Sequence, residues 1–388
     1  MRIVIVHMHF NTPLSGGPLR SYYLAQGFLK EGAECEVITT HNISQYEKKE
    51  IDGIKVHFLP VSYSNYFGFY KRIRAFLQFN QQATRFIKKL QKPDLLYCIS
   101  TPLTTGIIGM RMKATINCPF IFEVGDLWPE APVQMGVIKN TLIKKQLYHL
   151  ESGIYREAKG IVALSPPIKK YIARQVPEKK ICVVTNMSDL EFFHPAQQDT
   201  QKDKETQTKY VISSIGAVGK ANQLEFLVEA ARFFNTKDNR IHFNVMGDGS
   251  ERARLMKLAE GLENISFLPF GNKEQVRQTL SESNAIYISY KSIPVLETGS
   301  PNKLFDGLAA GKLIITNFGG WIAETIEAHS CGFRTDPENP EDFWQKLQPF
   351  MSPGQQALVE KNALQLAAEY ALERQQKKLM KFLFKETL

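Results

Sequence analysis

The 388-residue sequence contains no stretch of about 18 or more apolar residues, so none of its segments is long enough to cross a bilayer as a helix. The N-terminal segment MRIVIVHMHF is apolar from its third residue, but it lacks the small-residue cleavage site of a signal peptide. It is more typical of a first buried strand. We therefore expect a cytoplasmic protein, with peripheral contact at the inner face of the membrane as the alternative.

The sequence also lacks the patterns of metal, redox and nicotinamide sites. Its five cysteines are scattered and none belongs to a CxxC pair, so buried free thiols are expected. The histidines are dispersed, and no D-x-D pair stands where a divalent cation would hold a diphosphate. No G-x-G-x-x-G occurs, and the glycine loop at residues 216–223 has the wrong spacing for a Walker loop. We expect neither a metal nor an organic cofactor.

Positive charge is in excess, with a formal net charge of +9. Such a balance favours polyanionic partners, whether nucleic acid, anionic lipid or a phosphate-bearing substrate, and does not choose among them. The 43% hydrophobic and 22% charged residues are ordinary for a soluble globular protein, and the length predicts two domains.

Apolar runs alternate with amphipathic segments along both halves of the chain, which predicts parallel sheets covered by helices on both faces. Between the halves, residues 195–208 hold almost no apolar side chains and indicate an exposed linker. The sequence therefore predicts an α/β fold of two Rossmann-like, doubly wound domains, residues 1–195 and 205–365, facing each other across a cleft. The expected strands are Ile3–Val6, Glu34–Thr39, Lys55–Phe58, Leu95–Ile99, Phe120–Val124, Gly160–Leu164, Tyr210–Ile215, His242–Met246, Ile265–Phe267, Ala285–Ile288 and Leu313–Thr316.

The segment Gly299–Gly311 carries the strongest functional signal. A turn of small residues with Pro301 opens a short helix, whose free N–H groups would carry partial positive charge. Ser300 adds a hydroxyl group and Lys303 a full charge, so the turn could bind a diphosphate. Asp306, one turn after Asn302, could reach a ribose hydroxyl. An ordinary helix capped by Ser300 explains the same residues equally well.

The stretch PNKLFDGLAAGKLII at this position resembles glycosyltransferase family four, the retaining enzymes of the GT-B fold. The match is closest to bacterial members that build capsule, O-antigen and similar polysaccharides. In that family the region ends an E-x7-E motif, whose first acid lies near the donor sugar and whose second binds the ribose. Asp306 takes the second position, and Thr298, with Glu297 beside it, takes the first.

Four further stretches are similar to the same family. Gly16-Gly17 matches a glycine loop at which the backbone approaches the donor phosphates, which only glycine permits. Residues 216–223 resemble the loop whose basic residue contacts the diphosphate, here Lys220. Residues 247–249 and 270–273 match the V-G-D-G motif and the base-contacting loop.

The stretch EVGDLWPE, residues 123–130, resembles the family's segment beside the acceptor and the reacting carbon. It follows a predicted strand, which would place Asp126 at the edge of the cleft. Gly125 stands where relatives carry arginine or histidine. The catalytic candidates are Asp126 and Glu123, although a turn or helix-cap carboxylate is the alternative for Asp126.

The resemblance implies a metal-independent hexosyl- or N-acetylhexosaminyltransferase. It would move a sugar from a nucleotide diphosphate, with UDP as the expected nucleotide, to a glycan or lipid-linked acceptor in surface polysaccharide synthesis. The C-terminal pattern Leu364–Phe384 is expected to form one helix, with residues 366–388 packing back on the first domain. The expected donor-binding residues are Gly16, Gly17, Gly216, Lys220, Asn272, Glu297, Ser300, Asn302, Lys303, Leu304 and Asp306.

Two other functions stay open. A nucleotide-sugar epimerase could share the fold, and the altered positions Gly125, Thr298 and Asp306 would also suit a partner subunit that binds but does not transfer.

Residues 64–92 contain seven basic residues, no acid and several aromatics. This pattern suits an anionic membrane surface as well as a helix packed on a sheet by its aromatic face. The segment has no nucleic-acid recognition motif, so no nucleic-acid partner is expected.

Overall fold

The computed structural model describes residues 1–64, 66–195 and 209–387. All but the first residue of the expected linker, 195–208, lie outside this part of the chain. The described residues form two α/β domains, each built around its own sheet, as the alternation of apolar runs predicts.

The first domain contains an eight-stranded sheet in the order β3-β4-β2-β1-β5-β6-β7-β8, in which only the β3–β4 pair is antiparallel. Its strands are β1 (Arg2–Val6), β2 (Glu34–His41), β3 (Glu47–Ile51), β4 (Ile54–Pro60), β5 (Leu95–Ile99), β6 (Phe120–Val124), β7 (Gly160–Ala163) and β8 (Ile181–Val183). Its helices are α1 (Arg20–Lys30), α2 (Phe69–Ile87), α3 (Thr104–Ile116), α4 (Glu130–Gln134), α5 (Thr141–Glu157) and α6 (Pro166–Gln175).

The second domain contains a six-stranded parallel sheet in the order β11-β10-β9-β12-β13-β14. Its strands are β9 (Tyr210–Ile215), β10 (Ile241–Met246), β11 (Ile265–Leu268), β12 (Ala285–Ile288), β13 (Leu313–Thr316) and β14 (Gly332–Arg334). Its helices are α7 (Glu225–Lys237), α8 (Arg252–Leu258), α9 (Lys273–Ser281), α10 (Asn302–Ala309), α11 (Trp321–Ala328), α12 (Pro340–Leu347) and α13 (Pro353–Glu369), with 3₁₀ turns at Leu296–Thr298 and Gln348–Met351.

Helices cover both faces of each sheet, which explains why the strands read as continuous apolar runs. Side chains alternate along β1, so that Ile3 and Ile5 pack in one core cluster while Val4 and Val6 pack in another on the opposite face. The central strands therefore have no solvent face, and the polar residues that could serve a function are confined to the loops at the strand ends.

The C-terminal segment is not the single helix that the sequence predicts over Leu364–Phe384. Helix α13 ends at Glu369, and α14 (Leu372–Lys381) begins after a break, followed by a π-helical turn at Phe382–Thr387. At the break, the Ser188 amide donates to the Tyr370 carbonyl at 2.9 Å, and the Leu372 amide donates to the Ser188 carbonyl at 3.0 Å. These two hydrogen bonds to Ser188 take the place of hydrogen bonds within a helix, and the chain changes direction at the break.

The two C-terminal helices pack on different domains. Ala363 and Leu366 of α13 lie in a core cluster of the second domain. Leu379 and Met380 of α14 lie in the cluster that contains Ile3 of the first domain. The chain thus crosses between the domains a second time at the break. None of the helices in the described ranges is both long and apolar enough to span a membrane.

Candidate functional site

The domains meet through loops that follow the carboxyl ends of strands in both sheets. The loop after β1 contacts the loop after β11, where the Lys273 amide donates to the Pro13 carbonyl at 3.3 Å. Beyond β4, the Tyr66 hydroxyl donates to Asp248, which follows β10, at 2.7 Å. After β7, the Ser165 hydroxyl donates to the Thr298 carbonyl at 2.6 Å. Both sheets therefore present their carboxyl edges to one interdomain cleft, the usual position of ligands in open α/β sheets.

A pocket between the domains brings together five of the predicted donor-binding residues. The first domain contributes Gly16 and Gly17, and the second contributes Asn272, Asn302 and Asp306. These residues come from three separate regions of the sequence, so only the tertiary structure joins them. Arg20, Tyr23 and Lys273, which the sequence did not single out, line the same pocket.

A close backbone contact at position 16 leaves no room for a side chain and so requires glycine. Its φ is +71°, and a Cβ added there would lie 2.7 Å from the Gly271 carbonyl oxygen. The backbone that approaches Gly16 thus includes that of the loop at residues 270–273, whereas the sequence suggested an approach of donor phosphates only. Asn272 begins α9 with a reciprocal cap, since its side chain accepts from the Gln275 amide and its own amide donates to the Gln275 side chain. The glycine loop and this helix start form one side of the pocket.

Asp306 lies in the pocket with its carboxyl group largely withdrawn from water. Desolvation raises the pKa of Asp306 to about 7, and Asp189 raises it further while Lys273 opposes the change. A carboxyl group that titrates near neutrality in a cleft is typical of a functional site. Asn302 and Asp306 are four residues apart on α10 and line the pocket together.

Lys303 lies on the same helix beside the glycine loop that follows β9. A Cβ built on Gly216 would be 3.6 Å from the Lys303 Nζ atom. Within the described ranges no carboxylate forms an ion pair with Lys303, and desolvation lowers the pKa of its ammonium group to about 8. A half-buried, poorly hydrated cation that has no anionic partner in the protein is stabilised when an anion binds beside it.

The first turn of α10 has no side-chain cap. Ser300, the candidate cap, instead accepts a hydrogen bond from the Asn186 amide at 3.1 Å through its hydroxyl group. The ordinary capped-helix interpretation is therefore wrong, and the free N–H groups of the turn remain available to an anion. The Ser300 hydroxyl contacts the interdomain crossover and the Leu304 side chain lies in the core, so neither side chain lines the pocket.

Glu123 is fully buried and takes part in a charged network. Its two carboxylate oxygens accept from the Arg20 guanidinium at 2.5 and 2.9 Å, and the Tyr97 hydroxyl donates to one of them at 2.5 Å. Arg20 also donates to the carbonyl groups of Val184 and Thr185. This geometry argues against the catalytic role expected of Glu123, because its oxygens are occupied and no substrate can reach them. Glu123 instead fixes α1 and the crossover segment to β6.

Asp126 has the opposite environment. Its side chain is exposed to the cleft at the end of β6, and the Thr101 hydroxyl is 3.4 Å from its Oδ2 atom. Loss of hydration in the cleft raises the pKa of Asp126. Burial raises the pKa of Tyr290, a residue of the second domain, and the charge of Asp126 adds to that rise from the other side of the cleft. A Cβ on neighbouring Gly125 would be 3.4 Å from the Ser100 carbonyl oxygen, which is an ordinary van der Waals contact.

The first position of the acidic motif is altered in geometry as well as in sequence. The Thr298 hydroxyl donates to the Val295 carbonyl of its own 3₁₀ turn at 2.7 Å. Glu297 lies beside the start of α11, since a Cβ on Gly320 would be 3.5 Å from its Oε2 atom. Its carboxylate thus faces the positive end of a helix.

Lys220 is exposed in the loop after β9, separate from the pocket-lining residues. The two glycine loops of the second domain contact each other closely, because the Val218 amide donates to the Asp248 carbonyl at 2.9 Å. A Cβ on Gly247 would lie 1.8 Å from the Gly216 carbonyl oxygen. This contact fixes the loop that faces Lys303.

The histidines at the end of β1 are held without charge. His7 is buried, its Nδ1 atom lies 2.9 Å from the Ser21 hydroxyl, and burial lowers its pKa to about 3. Burial lowers the pKa of His9 to about 4, and its ring packs 4.7 Å from that of Tyr63. In the described ranges no cluster of three His, Cys, Asp or Glu side chains could hold a metal ion.

The sequence missed a second charged group at the pocket. Lys273 forms an ion pair with Asp189 and lies 3.9 Å above the Phe192 ring, and the Tyr23 hydroxyl also donates to Asp189 at 2.9 Å. Asp189 is 84 residues from Lys273 in the chain. No local pattern could pair them, although the match of residues 270–273 to a base-contacting loop placed Lys273 in the right region.

The basic segment at residues 64–92 is divided by the fold. Phe76 and Phe79 of α2 are buried against the first sheet, while Tyr66 and Tyr70 are exposed. The aromatic face of α2 thus serves mainly the core, and its basic residues point away from it.

Two family models match the chain in succession. The model described as Glycosyltransferase Family 4 matches residues 5–192, and the model described as Glycosyl transferases group 1 matches residues 196–364. No curated protein matches the sequence.

Several solved structures are similar over nearly the whole length of both chains. Sucrose-phosphate synthase from Thermosynechococcus elongatus has a TM-score of 0.78 at 15% identity, covering 98% of each chain. The α,α-trehalose 6-phosphate synthase from Burkholderia multivorans has a TM-score of 0.71 at 9% identity, covering 97% of each chain. Anabaena HepE, solved in complex with UDP and glucose, has a TM-score of 0.67 at 15% identity, covering 99% of each chain. With the family models, this likeness confirms the predicted fold of two facing Rossmann-like domains.

Proposed function

Because this chain belongs to the glycosyltransferases of the GT-B type, we propose that it transfers a hexosyl or N-acetylhexosaminyl group from a UDP-linked donor, with retention of configuration. The acceptor is a glycan or a lipid-linked glycan of a surface polysaccharide. One observation carries the proposal: an unpaired, half-buried lysine and an uncapped helix start lie next to a pocket that also holds an acid of raised pKa.

The donor occupies the second domain in this proposal. The N–H groups at the start of α10 and the Lys303 ammonium group bind the diphosphate, and Asp306 accepts from a ribose hydroxyl. Lys220 remains a candidate at the outer end of the diphosphate. When the bond between the sugar and the diphosphate breaks, negative charge develops on the leaving UDP. Positive groups fixed in advance stabilise that charge, so the transfer needs no metal ion.

The acceptor approaches from the first domain. Asp126 faces the cleft beside Thr101 and opposite Tyr290, so it is the acidic group that we place nearest the acceptor hydroxyl. Asp126 either takes the acceptor proton itself or orients the hydroxyl while a leaving phosphate oxygen takes the proton. Closure of the loops around the pocket excludes water and limits hydrolysis of the donor.

UDP binding and transfer are tested together with the purified chain. A thermal-shift screen of UDP-, GDP- and ADP-sugars identifies the base, and UDP release over a panel of acceptors identifies turnover. We expect UDP-sugars to stabilise the protein and Lys303→Ala to weaken UDP binding while leaving the fold intact. Unchanged UDP affinity in Lys303→Ala would remove the phosphate assignment.

The same assay separates the two alternatives. An epimerase would change the sugar of a UDP-sugar without releasing UDP or needing an acceptor. A partner subunit would bind the nucleotide without turnover on any acceptor. If transfer occurs, the anomeric configuration of the product, measured by NMR, tests retention.

We also propose peripheral contact of residues 64–92 with an anionic membrane on the cytoplasmic side. The exposed basic residues of α2 support it, together with Tyr66 and Tyr70. Since Phe76 and Phe79 pack in the core, the contact would be mainly electrostatic along this helix.

A further inference from the structure

A second exposed apolar group lies outside residues 64–92, at the start of α5. Val137 is 52% exposed, Leu142 65% and Ile143 48%. Three such side chains within seven residues are an unusual concentration for a monomer surface. The side chain of Asn140 caps the helix by accepting from the amides of Leu142 and Ile143, so their outward position belongs to a formed helix end. We refer to Val137–Lys145 as the α5 ridge.

The charged side chains within and next to the α5 ridge are all positive. Lys139, Lys144 and Lys145 lie within it, and residues 131–150 contain no Asp or Glu. The three helices that cover this face of the sheet, α2, α3 and α5, carry nine basic residues and two acids. Of these acids, Glu151 is buried and Glu157 pairs with Lys113. The face is therefore basic along its whole width.

The α5 ridge and the start of α2 lie at the same end of this helical layer. Residues of α2, α3 and α5 pack into one core cluster on one face of the first sheet. Each helix leaves the carboxyl edge of the parallel strands and runs back toward their amino edge. The starts of α2 and α5 therefore both border the interdomain cleft, and a surface that contacts them would face the cleft opening.

We propose that the α5 ridge docks on an anionic lipid bilayer, with Val137, Leu142 and Ile143 entering the interface and the lysines contacting lipid phosphates. This inference rests on the proposed function, because it explains how a lipid-linked acceptor reaches the cleft. The apolar side chains on a helix end flanked by lysines match both parts of such a surface, the acyl boundary and the anionic headgroups. A soluble protein partner would need acidic side chains over the same area.

The test is vesicle flotation of the full chain. Vesicles of phosphatidylcholine alone are compared with vesicles that also contain phosphatidylglycerol, at low and high salt. We expect binding only to the anionic vesicles and weaker binding at high salt. The double variant Leu142→Ser/Ile143→Ser should lower the partition coefficient about tenfold, and Lys139→Gln/Lys144→Gln/Lys145→Gln should lower it at least about tenfold, since each lysine near the surface is worth about fivefold.

The matched control is Met256→Ser/Leu358→Ser, which removes two exposed apolar side chains of the second domain, 44% and 46% exposed. It should bind vesicles as the unchanged protein does, and thermal unfolding establishes that every variant is folded. If the unchanged protein does not bind anionic vesicles at low salt, or if the ridge variants bind them as strongly as the unchanged protein, the inference is wrong. UDP-glucose binding, measured on the same samples, reports on the proposed function separately, because the ridge contributes no residue to the pocket.

Discussion

The protonation of Lys303 provides the sharpest test of the diphosphate site. Its ammonium group has a pKa of about 8 because burial removes water without supplying an anion. A bound diphosphate would return the group to its charged form, so binding and protonation are coupled. A pKa of about 8 means that about nine-tenths of the free sites are charged at pH 7 and about one-tenth at pH 9.

The affinity for UDP-glucose should therefore fall about tenfold between pH 7 and pH 9, as long as the bound lysine stays charged. Isothermal titration calorimetry measures this fall directly. In buffers of different ionisation enthalpy at pH 9, it should also show uptake of about one proton per UDP-glucose bound. The Lys303→Gln variant should bind more weakly at pH 7 and lose most of this pH dependence.

Lys312 supplies a matched control, because burial also lowers its pKa to about 8 although it lies just beyond the other end of α10. Lys312→Gln should leave both the affinity and its pH dependence unchanged. The reasoning is refuted if Lys303→Gln keeps the tenfold fall of the unchanged protein, since another group would then carry the coupling.

Three further predictions concern stability. The folded pKa of Asp306 is about 7, above the ordinary aspartate value of 3.8, so its carboxylate destabilises the fold increasingly between about pH 4 and 7. Asp306→Asn should therefore raise Tm by roughly a few degrees at pH 8 but not at pH 4, while UDP-glucose affinity falls. Arg20→Ala leaves the buried Glu123 carboxylate without its cation, which should cost about 3–5 kcal/mol in denaturant unfolding, and adding Glu123→Gln should recover part of it; equal stability of the single and double variants would contradict the pairing. Gly247→Ala places a Cβ 1.8 Å from the Gly216 carbonyl and should cost more than about 2 kcal/mol. The control Gly261→Ala, also at a positive φ (+82° against +145° for Gly247) but with open space around it, should cost about 1–2 kcal/mol.

The strands show which parts of the fold a local sequence pattern can predict. Leu95–Ile99, Phe120–Val124 and Ala285–Ile288 were predicted with the bounds that the structure has, because strands buried on both faces must be apolar throughout. The edge strand β3, Glu47–Ile51, was missed, since its sequence EKKEI is polar and it pairs only with β4. The break after Glu369 was missed for a related reason, because the bonds that cause it come from Ser188.

The candidate site also contains some residues that a local motif predicts and others that no local motif could predict. The motif at residues 299–311 and the glycine loop at 16–17 could be found because each is a continuous stretch with its own chemistry. The pairing of the Glu123 carboxylate could not be found from the sequence, because its partner Arg20 is 103 residues away in the chain. The interpretation of Ser300 as a helix cap was wrong, because its hydroxyl accepts from the Asn186 amide, which belongs to the crossover between the domains.

By itself, the sequence determined the periodicity of its elements, the number of domains and the stretches able to bind phosphate, since these depend on residues a few positions apart. Only the tertiary structure decided which charges are paired and which are left without a partner. Pairing depends on the distance between atoms after folding, and burial then sets how strongly an unpaired charge, such as that of Lys303, favours a ligand.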